Sequence, residues 1–234
     1  MLAVLRRELS AYFSSAIGYV YLAVFYIFSG YFFFAGSLAY GLAELTGVFS
    51  SIFTLVMFLI PILTMRLMSE DKKQKTDQLL LTSPVSLLSL VMGKFLAAFL
   101  VFAMGVAVTL LYGFVLALFV TVDWAVIIGN VLGLLLLGAA LISIGMFLSS
   151  LTENQVIAAV AGFVVMMLLM LVDMLAAAIP FSFLSDLLYS LSFSQRYAMF
   201  TYGILNFANV IFFLSFAAVF VYLTVRVIEK RRWS

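Results

Sequence analysis

The chain has 234 residues, 67% of them apolar and 9% charged, with no His, no Cys and a formal net charge of +2. A water-soluble domain averages about 45–50% apolar and about 25% charged residues, so a chain of this make-up is expected to use lipid as its solvent. The lack of His and Cys excludes imidazole and thiolate metal sites, histidine-ligated haem, disulfides and Cys or His catalysis.

At the N-terminus, Leu2, Leu5, Leu9, Tyr12, Phe13 and Ala16 recur at three- and four-residue spacing, while Arg6, Arg7, Glu8, Ser10 and Ser14 fill the rest of the helical wheel. This predicts an interfacial helix over residues 1–16, lying along the inner leaflet. The apolar stretch behind it is too long for a signal peptide, and Arg6-Arg7 runs into Glu8-Leu9 rather than a twin-arginine pattern.

A transmembrane helix needs roughly 20 apolar residues. Charge-free stretches run over 9–43, 45–65, 95–122, 124–152 and 197–225, and another over 154–172 continues past Asp173 to Ile179. They predict six spans at 17–38, 48–66, 92–119, 125–149, 155–178 and 205–227, forming one all-α integral membrane domain over 1–234. The runs are unbroken, unlike the ten-residue alternation of a β-barrel. Gly129, Gly133, Gly138 and Gly145 in the fourth span allow close helix approach. The aromatic residues of the first span suit lipid or packing against a second subunit.

With the N-terminus inside, Arg6, Arg7, Arg66, Lys72, Lys73, Lys75, Lys94, Arg226, Lys230, Arg231 and Arg232 collect on the cytoplasmic side, and Arg196 alone lies outside. The positive-inside rule therefore places both termini in the cytoplasm. Asp123-Trp124 suits a helix cap followed by a headgroup-level aromatic.

The loop between the second and third spans is rich in charge. Residues 70–81 suit a short helix with Glu70 and Asp71 in its first turn, and Ser83-Pro84 suits the N-cap and first position of the next helix. Leu79, Leu80 and Leu81 form an apolar cluster that no domain of this chain would cover, which suits a docking element. A solvated loop held by anionic lipid, with Lys72, Lys73 and Lys75 facing the headgroups, is the plainer reading. Further on, Thr152-Glu153-Asn154-Gln155 has capping-box spacing, Thr152 serving as N-cap and Gln155 reaching back.

Asp173 lies eighteen residues beyond Gln155, roughly 27 Å along a helix at 1.5 Å per residue, and so near the outer headgroups. Pro180 is expected to end the fifth span. Phe181, Phe183, Leu184, Leu187, Leu188 and Leu191, interspersed with Ser182, Ser185, Asp186 and Ser190, suit short amphipathic helices at the outer leaflet. Asp173, Asp186 and Arg196 are candidate outer-vestibule residues.

The loop resembles that of ABC-2-type transporter permeases, whose pattern is roughly E-x-x-x-G-T-x-E-x-L-L-x-x-P followed by Gly-Lys at the next span. Thr76, Leu80, Leu81, Pro84, Gly93 and Lys94 match; Lys75 stands in place of the usual Gly, and Gln78 in place of the usual Glu. Arg7-Glu8-Leu9 with Tyr12-Phe13, the segments 149–155 and 196–203, and the tail 229–233 also resemble the family, the nearest flavour being the gliding-motility-associated subgroup. The resemblance implies the membrane subunit of an ATP-driven exporter in the bacterial inner membrane, paired with a second copy or a related permease and with two ATPase subunits. Coupling would run through Thr76, Gln78, Leu79, Leu80, Leu81 and Pro84, and a second contact through Thr152, Glu153 and Gln155. Outer helices between the fifth and sixth spans would cap the exit.

A Walker A loop needs G-x-x-x-x-G-K-[ST], whereas Gly93-Lys94 is followed by Phe95. No cofactor is expected in this chain; ATP and Mg²⁺ would belong to the partner ATPase. Besides that subunit, the second permease and lipid no further partner class is implied, nucleic acid included. The alternative reading is a membrane anchor that recruits an ATPase without moving solute. A secondary transporter is disfavoured, because buried charges and paired broken helices are lacking. Nothing in the sequence specifies the cargo.

Overall fold

The computed structural model describes residues 1–41, 45–75, 86–179 and 181–232. Ten α-helices follow one another among the described residues: α1 Leu2–Ser14, α2 Ala16–Gly36, α3 Thr46–Thr64, α4 Ser69–Lys73, α5 Leu87–Ala117, α6 Trp124–Leu151, α7 Gln155–Ala178, α8 Ser182–Ser190, α9 Phe193–Thr201 and α10 Phe207–Arg232. Six are long and apolar enough to cross a membrane: α2, α3 with its continuation to Lys73, α5, α6, α7 and α10. The chain is therefore an all-helical, multi-pass membrane protein.

Helix ends follow local chemistry, and several differ from the sequence expectations. The third span begins at Leu87 rather than 92, because Ser86 caps it by accepting a hydrogen bond from the Ser89 amide at 3.3 Å. Ser83 and Pro84, expected to start that helix, lie outside the described residues. Of the helix expected over 70–81, the described part is α4, Ser69–Lys73, followed by Lys75 with a φ of 56°; residues 76–81 lie outside the described residues. Asp123 caps α6 by accepting from the Ala125 amide at 2.9 Å. The capping box expected at Thr152 is not formed. Asn154 caps α7 instead, accepting from the Val156 amide at 2.9 Å, while the Thr152 hydroxyl accepts from the Asn154 amide at 3.1 Å. Thr152 is extended backbone (φ −127°, ψ 158°) at the end of α6, too early in the turn to cap the next helix.

The bundle is built around α6. In its most apolar stretch 67% of residues are buried, against 17% for α7 and 28% for α2 and for α10, so α6 is the central post and those three are the periphery. Without a hydrophobic force between helices in lipid, close packing of small residues carries association. A Cβ at Gly133 would come within 2.8 Å of the Phe200 side chain. The Phe102 ring fills the space beside Gly138, and the Thr64 side chain that beside Gly145. The glycines of the fourth span thus serve packing within the chain.

The amphipathic helix α1 turns abruptly into α2 at Ser15 and lies on the first turns of α5. Two glycines permit this. A Cβ at Gly18 would sit 2.6 Å from the Tyr12 carbonyl oxygen, and one at Gly93 would sit 2.9 Å from Val4 and 3.2 Å from the Met1 carbonyl oxygen. A Gly93→Leu variant is expected to lift α1 off α5 while the six spans still insert. Limited proteolysis of membrane vesicles checks this: cleavage near Arg6-Arg7 should become faster than in the parent protein.

Candidate functional site

At the basic end of the bundle the last carbonyls of α3 and of the turn after it lack intrahelical donors, as at any helix C-terminus. Three different helices supply the missing donors. The Tyr12 hydroxyl of α1 donates to the Leu63 carbonyl at 2.8 Å, the Ser149 hydroxyl of α6 to Met65 at 2.9 Å, and the Lys94 ammonium of α5 to Leu67 at 2.6 Å. Ser149 also accepts from the amides of Met68 and Ser69, each at 3.1 Å. Tyr12 is fully buried, and burial pushes its phenol well above the usual range, so it remains a neutral donor.

Lys94 is the centre of this cluster. Its side chain is 2% exposed, and its ammonium lies 2.7 Å from Asp71 Oδ2 and 3.1 Å from Glu8 Oε1. With the Leu67 carbonyl these contacts use all three ammonium donors. Arg7 closes the group, 2.6 Å from Glu8 Oε1 and 3.7 Å from Asp71 Oδ2, so that two cations face two carboxylates. Beside it Arg66 pairs with Glu70 at 2.8 Å, donates to the Ser15 hydroxyl at 2.8 Å and stacks over the Tyr12 ring. The short helix α4 is therefore tied to α1 and α5 through Asp71, and to α6 through Ser69 and Ser149.

Lys72 corrects the sequence reading. It was expected to face lipid headgroups with Lys73 and Lys75, but it is 7% exposed and donates to the Ser150 carbonyl of α6. That carbonyl belongs to the last turn of α6 and needs a donor for the same reason as those of α3. Lys73 and Lys75 are exposed.

The residues singled out from sequence distribute as follows. Thr76, Gln78, Leu79, Leu80, Leu81 and Pro84 lie outside the described residues; the described chain reaches them through α4. Thr152 and Glu153 occupy the turn between α6 and α7 and Gln155 opens α7, shortly after the Ser150 carbonyl that holds Lys72. Asp173, Asp186 and Arg196 are at the opposite end, and among the described residues no ion pair joins them. Asp186 is exposed on α8. Arg196 is a brace: it donates to the Ser190 carbonyl at 2.9 and 3.0 Å and to Asn209 at 3.1 Å, and lies 4.3 Å over the Phe212 ring. Asp173 has one carboxylate oxygen buried without a hydrogen-bond partner.

The sequence named Lys94 as one of the cytoplasmic basic residues and as half of a Gly-Lys pair, not as a buried ion-pair centre. The signal that could have found its role is a lone cation inside an apolar helix, which must recruit acids, together with Glu8, the one acid of the amphipathic α1. Chemically the cluster is a joint. Glu8 and Asp71 are engaged by Lys94 and Arg7, and among the described residues no group of three His, Cys, Asp or Glu converges that could hold a metal.

Removing one partner of a buried ion pair costs about 3–5 kcal/mol. Lys94→Met should therefore destabilise the protein by that order, and the double variant Lys94→Met with Asp71→Asn should recover a measurable part; thermal unfolding of the purified protein reads both. Lys75 is the only described residue other than Gly with positive φ, at the position where the family pattern has Gly. Left-handed backbone costs a non-Gly residue about 1–2 kcal/mol, so Lys75→Gly should raise the unfolding midpoint.

A comparison with curated proteins found no match. The family model described as "ABC-2 family transporter protein" matches residues 33–233, which take in the last turn of the first span and the other five spans. The chain belongs to the ABC-2 family of transporter proteins and is a membrane-spanning permease component of an ABC transporter, a family that generally works with an ABC ATPase.

Proposed function

We propose that this permease is the membrane half of an exporter in the bacterial inner membrane, with both termini and the 66–94 segment in the cytoplasm, two permease subunits forming the path and two ATPase subunits driving it. The observation that carries the reading is the anchoring of α4. A loop that only rides on lipid has no need of a root locked to four other elements. Here Asp71 holds α1 and α5 through Lys94, Lys72 and Ser69 hold α6, and the Leu63 and Leu67 carbonyls bind α3 to the same joint.

A push delivered beyond Lys75 would reach α1, α3, α5 and α6 together. Leu79, Leu80 and Leu81 are the contact we assign to the ATPase, with Thr76, Gln78 and Pro84 framing it and the Thr152-Glu153-Gln155 turn as a second contact beside Lys72. ATP and Mg²⁺ act in the partner. We place the second permease copy against the exposed apolar faces of α2 and α7, which carry Tyr19, Tyr26, Tyr31, Val156, Val160 and Met167.

Burying one Leu stabilises a complex by roughly 1.5–3 kcal/mol, so Leu80→Asp with Leu81→Asp should release the ATPase or leave its hydrolysis uncoupled from transport, while the spans still insert. Co-purification and cargo-stimulated turnover test this; retention of both at parent levels rejects the docking site. An ATPase that stays bound but never moves solute would favour the anchor reading. Since the chain has no Cys, a single Cys at Lys73 tests orientation: it should resist impermeant reagents on intact cells and react in inverted vesicles.

A further inference from the structure

Arg7 and Glu8 of α1 belong to the Lys94 joint, but Arg6 does not. The helical period puts Val4, Glu8 and Tyr12 on one face of α1, where they meet Gly93, Lys94 and the Leu63 carbonyl. Arg6, Leu9, Ser10, Phe13 and Ser14 share the opposite face, and with Met104 of α5 they line an open groove of about 480 Å³.

This groove is polar along one side and apolar along the other. Arg6, Ser10 and Ser14 recur every four residues and are exposed, while Leu9, Phe13 and Met104 supply carbon. It starts two residues from Glu8, which bonds Lys94, and reaches Met104, ten residues further along α5 than Lys94, or roughly 15 Å. The groove thus runs from the charged end of the bundle toward the middle of a span.

Arg6 receives no counter-charge from the protein. No acid lines the groove. Glu8, the one acid of α1, is held by Lys94 and Arg7, as is Asp71, and Glu70 is held by Arg66. Among the described residues the side chains of Arg6 and Ser10 make no ion pair or hydrogen bond, and the Ser14 hydroxyl makes only a 3.4 Å bond to the Ala11 carbonyl. A lipid tail gains little by leaving bulk hydrocarbon for an apolar wall, so the headgroup decides which lipid is held. A guanidinium binds a phosphodiester through charge-assisted, paired hydrogen bonds, and hydroxyls suit the oxygens of the glycerol region.

We propose that this groove holds one anionic glycerophospholipid of the surrounding membrane, its phosphodiester on Arg6, its glycerol region beside Ser10 and Ser14, and an acyl chain on Leu9, Phe13 and Met104. The bound lipid braces the back of the helix that delivers Glu8 to Lys94, so membrane composition sets how firmly the joint is held. The site needs no ATPase, and the proposal stands apart from the exporter reading.

Native mass spectrometry of the full chain with added phosphatidylglycerol or phosphatidylcholine tests this, together with thermal midpoints in nanodiscs of either lipid. One phosphatidylglycerol should be held about fivefold more tightly than phosphatidylcholine, the preference expected of a single basic residue near a membrane surface. Arg6→Gln should remove that preference while leaving phosphatidylcholine binding at the parent level, which shows that the variant folds. Arg6→Lys should keep part of it. Lys230→Gln, the same charge change at an exposed residue of α10, should leave it intact. Phosphatidylglycerol should also raise the thermal midpoint of the parent protein and not that of Arg6→Gln.

Equal retention of the two lipids by the parent protein would overturn the proposal. So would equal losses in Arg6→Gln and Lys230→Gln, which mark general attraction to a basic surface. Displacement of the lipid by glycerophosphoglycerol, the same headgroup without tails, would show that the groove reads a free anion, and would overturn it too.

Discussion

An ammonium group removed from water must be given back its three hydrogen bonds and an opposite charge, or it does not stay in the fold. Lys94 meets that demand eight residues into an apolar helix, and much of the basic end of the molecule is arranged around it. Glu8 can reach it only if α1 lies flat on α5, which Gly93 allows. Asp71 can reach it only if the chain turns back immediately after α3, and the Leu67 carbonyl is available only because α3 has already ended. A single buried charge thus determines where an amphipathic helix docks and where the following loop starts.

The same logic distinguishes the two ends of the bundle. At the basic end unpaired carbonyls and charges are matched one to one by Tyr12, Ser149, Lys72 and Lys94, which gives a stiff junction. At the opposite end Arg196 braces α9 against α10, yet Thr201 and Asp173 retain polar atoms without partners. Between them α6, packed through Gly133, Gly138 and Gly145, is the post against which the peripheral helices could shift.

Glycine and serine carry much of this architecture. Gly18 and Gly93 are the places where a Cβ would collide with α1. Ser86, Asp123 and Asn154 start helices by accepting from amides two or three residues on. Ser149 receives two amides and gives one hydrogen bond, replacing the backbone ladder where α3 breaks into α4. These small polar residues take little volume, so they can serve a helix end without opening the apolar packing around it.

Six spans, their helical nature and the amphipathic N-terminus were legible in the sequence, because burial in lipid is a property of long residue runs and leaves its mark as period and length. The asymmetry of the basic residues was equally plain. The partners of Lys94, the burial of Lys72 and the capping of α7 by Asn154 rather than Thr152 could not be read there. Each depends on which helix ends meet, and residues 8, 71 and 94 become neighbours only when three segments pack at once. The groove beside Arg6 is of the same kind: Arg6, Ser10 and Ser14 read along the chain only as the polar part of a helical wheel. Only the packing of α1 against α5 brings Met104 beside them and commits Glu8, the one acid of α1, to Lys94 and Arg7.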